Sequence, residues 1–412
     1  MVGTAVACLL GGELATRSLK LALLEAVQPK AYVAEQEDLR VSAISRSSQC
    51  ILQAAGAWDE IARTRISPYR EMRVWDARQA WDDQGALCFD SAEIGEADLG
   101  HIIENRLIQH ALLDSLRTVP DVDVVVPARV ARLAAEPDAM RLELADGESI
   151  TTRLLVAADG ANSQCREMMG IATSGWTYDQ CAVVTQVQCE RPHRRTAFQR
   201  FLPTGPLALL PLADGCCSVV WSTTPDEAQN LIDCDAESFQ RSISQASDYV
   251  LGELTVAAPR ARFPLQLMHA NVYTAPRFAL VGDAAHSVHP LAGQGANMGF
   301  LDAAALCQVL LEGLGEGIEP GDALLLRRYE RWRKGENLAT MAALEGFKRF
   351  FGESYFAPFV IPALSLMNAL GPVKNMLIKR AMGLEGDLPV LATPSSTPGR
   401  IKGRDHASKT TC

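Results

Sequence analysis

Ala279-Leu280-Val281-Gly282-Asp283-Ala284-Ala285-His286, followed by His289-Pro290-Leu291-Ala292-Gly293-Gln294-Gly295-Ala296-Asn297-Met298-Gly299, is the stretch that decides the fold. The apolar run Phe278 to Val281 predicts a buried strand that ends on Gly282-Asp283 and so delivers a carboxylate at its C-terminal end, where ligands bind in α/β sheets. Asp283 is placed to accept a hydrogen bond from a sugar or ribityl hydroxyl. A helix is predicted to start near Gly293-Gln294-Gly295, where the glycines let backbone approach a flat ring and the helix end offers free N–H groups. The competing reading is an ordinary strand-turn-helix corner that uses Gly for tight packing.

Two further segments fit the same architecture. Asp159-Gly160-Ala161-Asn162-Ser163-Gln164-Cys165-Arg166 follows the apolar run Leu154 to Ala158 and reads D-G-x-x-S-x-x-R. There Asp159 can accept hydrogen bonds, Ser163 can cap a helix, and Arg166 can support the turn or meet a phosphate. Near the start, Val2 to Leu10, with small residues Gly3, Ala5 and Ala7, predicts a helix that leads into a strand from Leu19 to Leu24, closed by Glu25. This is the second half of a βαβ unit. Glu25 follows Gly3 by about twenty residues, the spacing at which an acidic residue of a dinucleotide fold meets ribose hydroxyls. The opening segment lacks the basic region of a signal peptide.

Elsewhere, Asn105 is expected to cap a helix from Arg106 to about Val119. Strands Val122 to Val126, Val130 to Ala134, Met140 to Leu144 and Ser149 to Thr151 are expected to form a small meander. From about Thr173 to Phe263, alternation with Trp176, Tyr178, Phe198, Phe201 and Trp221 predicts an antiparallel substrate-side sheet. Asp322 to Leu384 reads as helical. The Ser-, Thr-, Pro- and Gly-rich end reads as a disordered tail.

The 412 residues, 48% of them hydrophobic, suffice for a sizeable core and more than one domain. A formal charge of −10 and a pI near 5.3 argue against a general nucleic-acid binder, and none is expected as a partner. The eleven cysteines include no CxxC pair, which favours a reducing, cytoplasmic setting. His286 and His289 are spaced H-x-x-H without further ligands nearby, so no metal is expected. The apolar stretch Phe356 to Val373 is broken by Pro358, Pro362 and Pro372 and makes a poor membrane span. It either packs within the helical region or touches a membrane surface, helped by Lys374, Lys379 and Arg380.

Asp-Leu-Arg-Val-Ser-Ala-Ile-Ser (38 to 45), Gly-Ala-Trp-Asp (56 to 59), Gly-His-Ile-Ile-Glu-Asn (100 to 105), the D-G-x-x-S-x-x-R string and Gly-Asp-Ala-Ala-His-Ser-Val-His-Pro-Leu-Ala-Gly-Gln-Gly together resemble the ubiquinone-biosynthesis flavin hydroxylases. These belong to the class A FAD monooxygenases related to 4-hydroxybenzoate hydroxylase, and the likeness extends to about residue 388. It implies an α/β fold with a Rossmann-like FAD domain of the glutathione-reductase type, an antiparallel substrate sheet and C-terminal helices. The expected division is 1–68, 99–172 and 264–320 for the FAD domain and 69–98 with 173–263 for the substrate domain. Residues 321–388 form the helical region and 389–412 the disordered tail.

The resemblance also implies FAD reduced by NAD(P)H or another donor, O2 as co-substrate, and hydroxylation of a polyprenylated phenol or quinol. On this chain, Glu25 would bind the adenosine ribose, and Arg40 and Asn105 would lie along the cofactor. Asp159 and Gly160 would face the pyrophosphate or nicotinamide path, and Asp283 would hold the ribityl chain. Pro290, Gly293, Gln294, Gly295 and Asn297 would surround the isoalloxazine. His289 is a candidate to polarise substrate or flavin, against the reading of a satisfied loop histidine. In the family a strand and Gly-x-Gly precede the glycine matching Gly3, and this first strand is expected to be missing from the sequence, upstream of Met1. Left open are a related FAD oxidoreductase with another substrate, a non-catalytic subunit of a ubiquinone-biosynthesis assembly, association with such a complex, and peripheral contact with the inner membrane.

Overall fold

The computed structural model describes residues 1–33, 38–83, 86–290, 293–352 and 354–394. Its first helix, Val2–Ala15, buries Ala5, Val6 and Leu10 and leads into the strand Leu21–Leu24. That strand pairs in parallel with Val122–Val125, Leu21 opposite Val122. The expected meander is therefore corrected: Val122–Val125 leaves it, and only Val130–Ala135, Met140–Leu144 and Ser149–Thr152 form the antiparallel trio. Hydrophobic period identifies a strand but not its partner.

Leu155–Ala157 pairs in parallel with Phe278–Leu280, which puts the two Asp-bearing turns side by side at one sheet end. Among the described residues no strand joins this sheet to the Leu21–Leu24 pair. The long helix Gln294–Gly315 crosses beneath and buries Phe300, Ala303, Ala304, Leu306 and Cys307. By length and composition it is apolar enough to span a membrane, yet 72% of its apolar window is buried in the protein, as expected of a core helix.

The second sheet runs His286–Ser287, Ala261–Ala270, Thr173–Cys189, Cys217–Thr223, Gly205–Pro211, Thr196–Leu202, Glu71–Asp76 and Leu87–Asp90, with Leu254–Val256 pairing off this path. It is antiparallel except where Thr196–Leu202 meets Glu71–Asp76 in parallel. Two helices interrupt the expected all-strand stretch, Pro225–Asp233 and Ala236–Ala246. Their signals are local: Thr224 and Asp235 cap them, and Pro225 occupies the first turn.

Ala323–Gly352, Ala357–Ala369 and Gly371–Ala381 supply the C-terminal helices. The tail expected from residue 389 is corrected at its start, where Val390–Ala392 forms a 3-10 turn with Ala392 fully buried. Residues 395–412 lie outside the described residues.

Candidate active site

Three of the expected cofactor residues, Gly3, Glu25 and Asp283, lie around the start of the first helix. The Met1 amino group is buried, which lowers its pKa, while the charges of Glu25 and Asp283 act in the opposite direction. Gly3 sits so close to Ala158 that an added Cβ would lie 3.1 Å from the Ala158 methyl, the tight helix-to-strand approach that the dinucleotide fold reserves for glycine. Val2 packs against Gly282, which adopts φ +60° at the head of the 3-10 turn Gly282–Ala284. That turn leaves Asp283 exposed at the strand end. Glu25 is half-buried, its backbone paired to Val125 and Ala128.

The Gly293 loop forms the other flank. Gly293 has φ +61°, and a Cβ there would come within 2.9 Å of the Ala43 methyl. It precedes the helix Gln294–Gly315 without a side-chain cap. Gly295 and Pro290 lie half-buried beside the helix start. Asn297 is fully engaged in holding this loop: its Nδ2 donates to Ala43 O at 2.8 Å and its Oδ1 accepts from Ser45 N at 3.0 Å. It ties the loop to the strand Val41–Ile44 and so positions the loop rather than presenting free polar atoms. Leu291 and Ala292 lie outside the described residues.

One expectation, the Asn105 cap, is corrected, and the neighbouring site residues take defined places. Asn105 is the first residue of the helix Asn105–Arg117, not its cap; Glu104 takes that place, and Asn105 Oδ1 accepts from Ser42 Oγ at 2.7 Å. Asp159 spends both carboxylate oxygens on the turn, accepting from Ser163 Oγ and from Cys165 N. Arg166 supports that turn and its neighbour, donating to Ala161 O at 2.9 Å and to Ala284 O at 2.8 Å. Arg40 is exposed and stacks over Phe263 at 5.6 Å.

Beneath the Asp283 turn lies a buried polar network that the motif reading missed. Asp302 accepts from Gly282 N, His286 Nε2, Arg333 Nε and Asn337 Nδ2. Burial opposes its ionisation, but His286 and Arg333 outweigh that and hold the carboxyl down to about 2. A lone Asp in the apolar run Phe300 to Leu306 was the available signal, because a buried carboxylate must be paired.

His289 differs from His286. It is 2% exposed, and neither ring nitrogen has a hydrogen-bond partner among the described residues. Burial, reinforced by Lys348, pushes its pKa down to about 3, so the ring is neutral. Tyr178 stands edge-on to it at 5.2 Å, held by a 3.0 Å bond from its hydroxyl to Glu345. Lys348 Nζ lies 3.4 Å from the Tyr178 ring centre.

A family model described as an FAD binding domain matches residues 3–341. The chain is 38% identical to the mitochondrial ubiquinone biosynthesis monooxygenase COQ6 of Xenopus tropicalis, over 92% of this chain and 90% of the relative. The chain belongs to the FAD-dependent monooxygenases of ubiquinone biosynthesis. Another member of this monooxygenase family, the 3-demethoxyubiquinol 3-hydroxylase of Escherichia coli, is 37% identical over 93% of this chain and 96% of its own. The fold is that of p-nitrophenol 4-monooxygenase from Pseudomonas putida, with a TM-score of 0.72, 18% identity, and 94% and 96% of the two chains covered. Klebsiella pneumoniae HpxO, solved with FAD and uric acid, superposes with a TM-score of 0.68 at 18% identity over 95% and 94%.

The residues present fit such a flavin monooxygenase. Gly293 lets its loop approach the Val41–Ile44 strand more closely than a Cβ would allow, the Gln294–Gly315 helix start carries no side-chain cap, and two carboxylates flank the Val2–Ala15 helix start. Carboxylates suit sugar hydroxyls, and helix ends suit anionic groups.

Proposed function

We propose that the chain hydroxylates the aromatic ring of a polyprenylated phenol or quinol in ubiquinone biosynthesis, using FAD, an electron donor such as NAD(P)H, and O2. The supporting observations are Glu25 and Asp283 acting together on the Met1 amino group, and the Gly293 loop, which follows His289 closely in sequence, with Val288 beside Gly295 and Tyr178 edge-on to His289. FAD, when bound and reduced, supplies the activation of O2 for transfer of one oxygen atom.

The chain's own residues do the rest. Glu25 and Asp283 hold hydroxyls of the cofactor, the Gly293 turn admits its flat ring, and Asn297 fixes that turn. Pro290, Gln294 and Gly295 complete the ring's surroundings, while Arg40, Asn105 and Gly160 line the approach. Leu267, Met298 and Met341 form an apolar cluster that excludes water on the substrate side. The test is anaerobic reduction followed by O2 with a short-chain prenylphenol, read by mass spectrometry. Addition of one oxygen atom supports the reading, and hydrogen peroxide as sole product with every prenylphenol counts against it.

The same reading gives a lipid surface to the last two long helices, because a polyprenyl substrate resides in the bilayer. Phe359, Leu366, Leu370, Val373, Met376 and Leu377 are exposed, whereas Val360 and Leu364 of the opposite face are buried against the sheet. Lys379 and Arg380 flank this face, but Lys374 does not, since it is buried on Glu93 and Cys88 O. Sedimentation with phosphatidylcholine–phosphatidylglycerol vesicles tests it. Loss of binding in F359D/M376D is expected, and unchanged binding overturns it.

A further inference from the structure

We propose that His289 is the group that receives the substrate's ring hydroxyl, with a neutral imidazole nitrogen accepting its hydrogen bond beside the Tyr178 ring and the Met298–Met341 cluster. The inference rests on the hydroxylase reading and deepens it.

A buried polar atom without a partner is costly, and the cost is removed when a ligand supplies the missing bond. His289 carries two such nitrogens at 2% exposure. Its surroundings suit a flat aromatic ring. Leu267, Met298 and Met341 form a small buried cluster, with Val288 and Tyr178 packed against it. Thioethers and aromatic edges pack well against ring faces. The polar ends of this wall are already engaged, Tyr178 Oη on Glu345 Oε2 and Glu345 Oε1 on Arg349 Nε. A hydroxyl entering the wall thus finds His289 as its acceptor. Burial, reinforced by Lys348, whose ammonium packs on the Tyr178 ring, keeps the imidazole unprotonated, the form able to accept.

The chemistry needs this bond. A hydroxyl that donates to a base pushes electron density into its ring and raises the reactivity of the positions ortho and para to it. As the new carbon–oxygen bond forms, the hydroxyl proton shifts toward the imidazole. It returns to the oxygen as the ring C–H proton passes to the oxygen atom that departs as water and aromaticity is restored. The imidazole ends each turnover as it began. One atom of O2 enters the ring, the other leaves as water, and the two electrons come from NAD(P)H or its equivalent.

The test compares 2-allylphenol with its methyl ether, 2-allylanisole, on the FAD-loaded protein. Dissociation constants come from calorimetry and coupling from the ratio of hydroxylated product to hydrogen peroxide. The wild-type protein should bind the phenol on the order of tenfold more tightly than the ether, the worth of one buried hydrogen bond. H289F should lose that preference and divert turnover to peroxide while retaining FAD, and H289N should recover part of both. An H289F protein with the wild-type preference and coupling overturns the role of His289 and leaves the hydroxylase reading intact. A wild-type protein that binds neither probe and hydroxylates no prenylphenol overturns both. If H289F fails to fold, histidine-15N resonances of the wild type decide: a His289 shift with the phenol but not the ether supports the role, and no such shift overturns it.

Discussion

Asp302 accepts the backbone N–H of Gly282 at 3.1 Å, so a carboxylate from the core helix sets the turn that exposes Asp283. The same side chain neutralises Arg333 at 2.9 Å, and Arg333 comes from the long C-terminal helix. Both partners are almost fully buried. Removing one leaves an uncompensated charge, so D302A should lose about 3–5 kcal/mol of stability in urea denaturation and, with the Asp283 turn released, bind FAD less tightly. D302L/R333M should regain much of the stability, and a double variant no better than D302A would show that the pair is not what holds these helices together.

The pH dependence of this network follows from its sign. The Asp302 carboxyl is held at about 2, below its ordinary 3.8, so its contribution is fully present above about pH 4 and is lost as pH falls through about 2. His289 acts at higher pH. Its pKa of about 3 in the fold lies below the ordinary 6.5, so between those values the unfolded chain binds the extra proton and stability falls with acidification. At pH 5 this amounts to about 2 kcal/mol relative to neutral pH. Burial is the main cause and Lys348 adds to it, with Tyr178 and Glu345 packed beside them. H289F should flatten the loss of melting temperature between pH 7 and pH 5, and an unchanged slope would mean that other groups produce it.

Asp283 and Asp159 should separate cleanly. D283A removes an exposed carboxylate and is expected to keep the melting temperature while losing tightly bound FAD, read as absorbance near 450 nm per chain. D159A removes two hydrogen bonds at the start of the helix Gln164–Met168 and should cost about 1 kcal/mol while sparing FAD. The reverse pattern would exchange the two roles.

G293A places a methyl group at φ +61° and 2.9 Å from the Ala43 methyl. A left-handed backbone costs a non-glycine residue about 1–2 kcal/mol, and the crowding adds to it. The variant should melt earlier and release FAD. Wild-type FAD affinity in G293A would show that the ring does not need this close approach.

How much of this was legible in the sequence depends on whether a residue's task is local. Gly282-Asp283 and the Gly293 turn could be read, because a strand end followed by glycine fixes backbone geometry within a few residues. Asp159 was placed at the right turn, but the motif does not say that it accepts from Ser163 Oγ and Cys165 N there. Asn105 was misread as a cap because its real partner, Ser42, lies 63 residues away. Asp302, Arg333 and Asn337 escaped for the same reason: a buried ion pair is a relation between two helices, and each helix alone shows only one partner of it. The apolar cluster around His289 joins Leu267, Met298 and Met341, which no periodicity connects.

The helix Ala323–Gly352 holds Arg333 and Asn337 under the Asp283 turn and, about three turns further along, Glu345 and Lys348 at the aromatic wall. It is thus a beam with one end in each half of the molecule and about 18 Å between Arg333 and Glu345 along its axis. A residue inserted between those two positions would rotate one set of side chains by about 100° relative to the other, so both ends cannot stay in register. Substitutions that tune the wall will therefore be tolerated along this helix, whereas insertions and deletions within it will not.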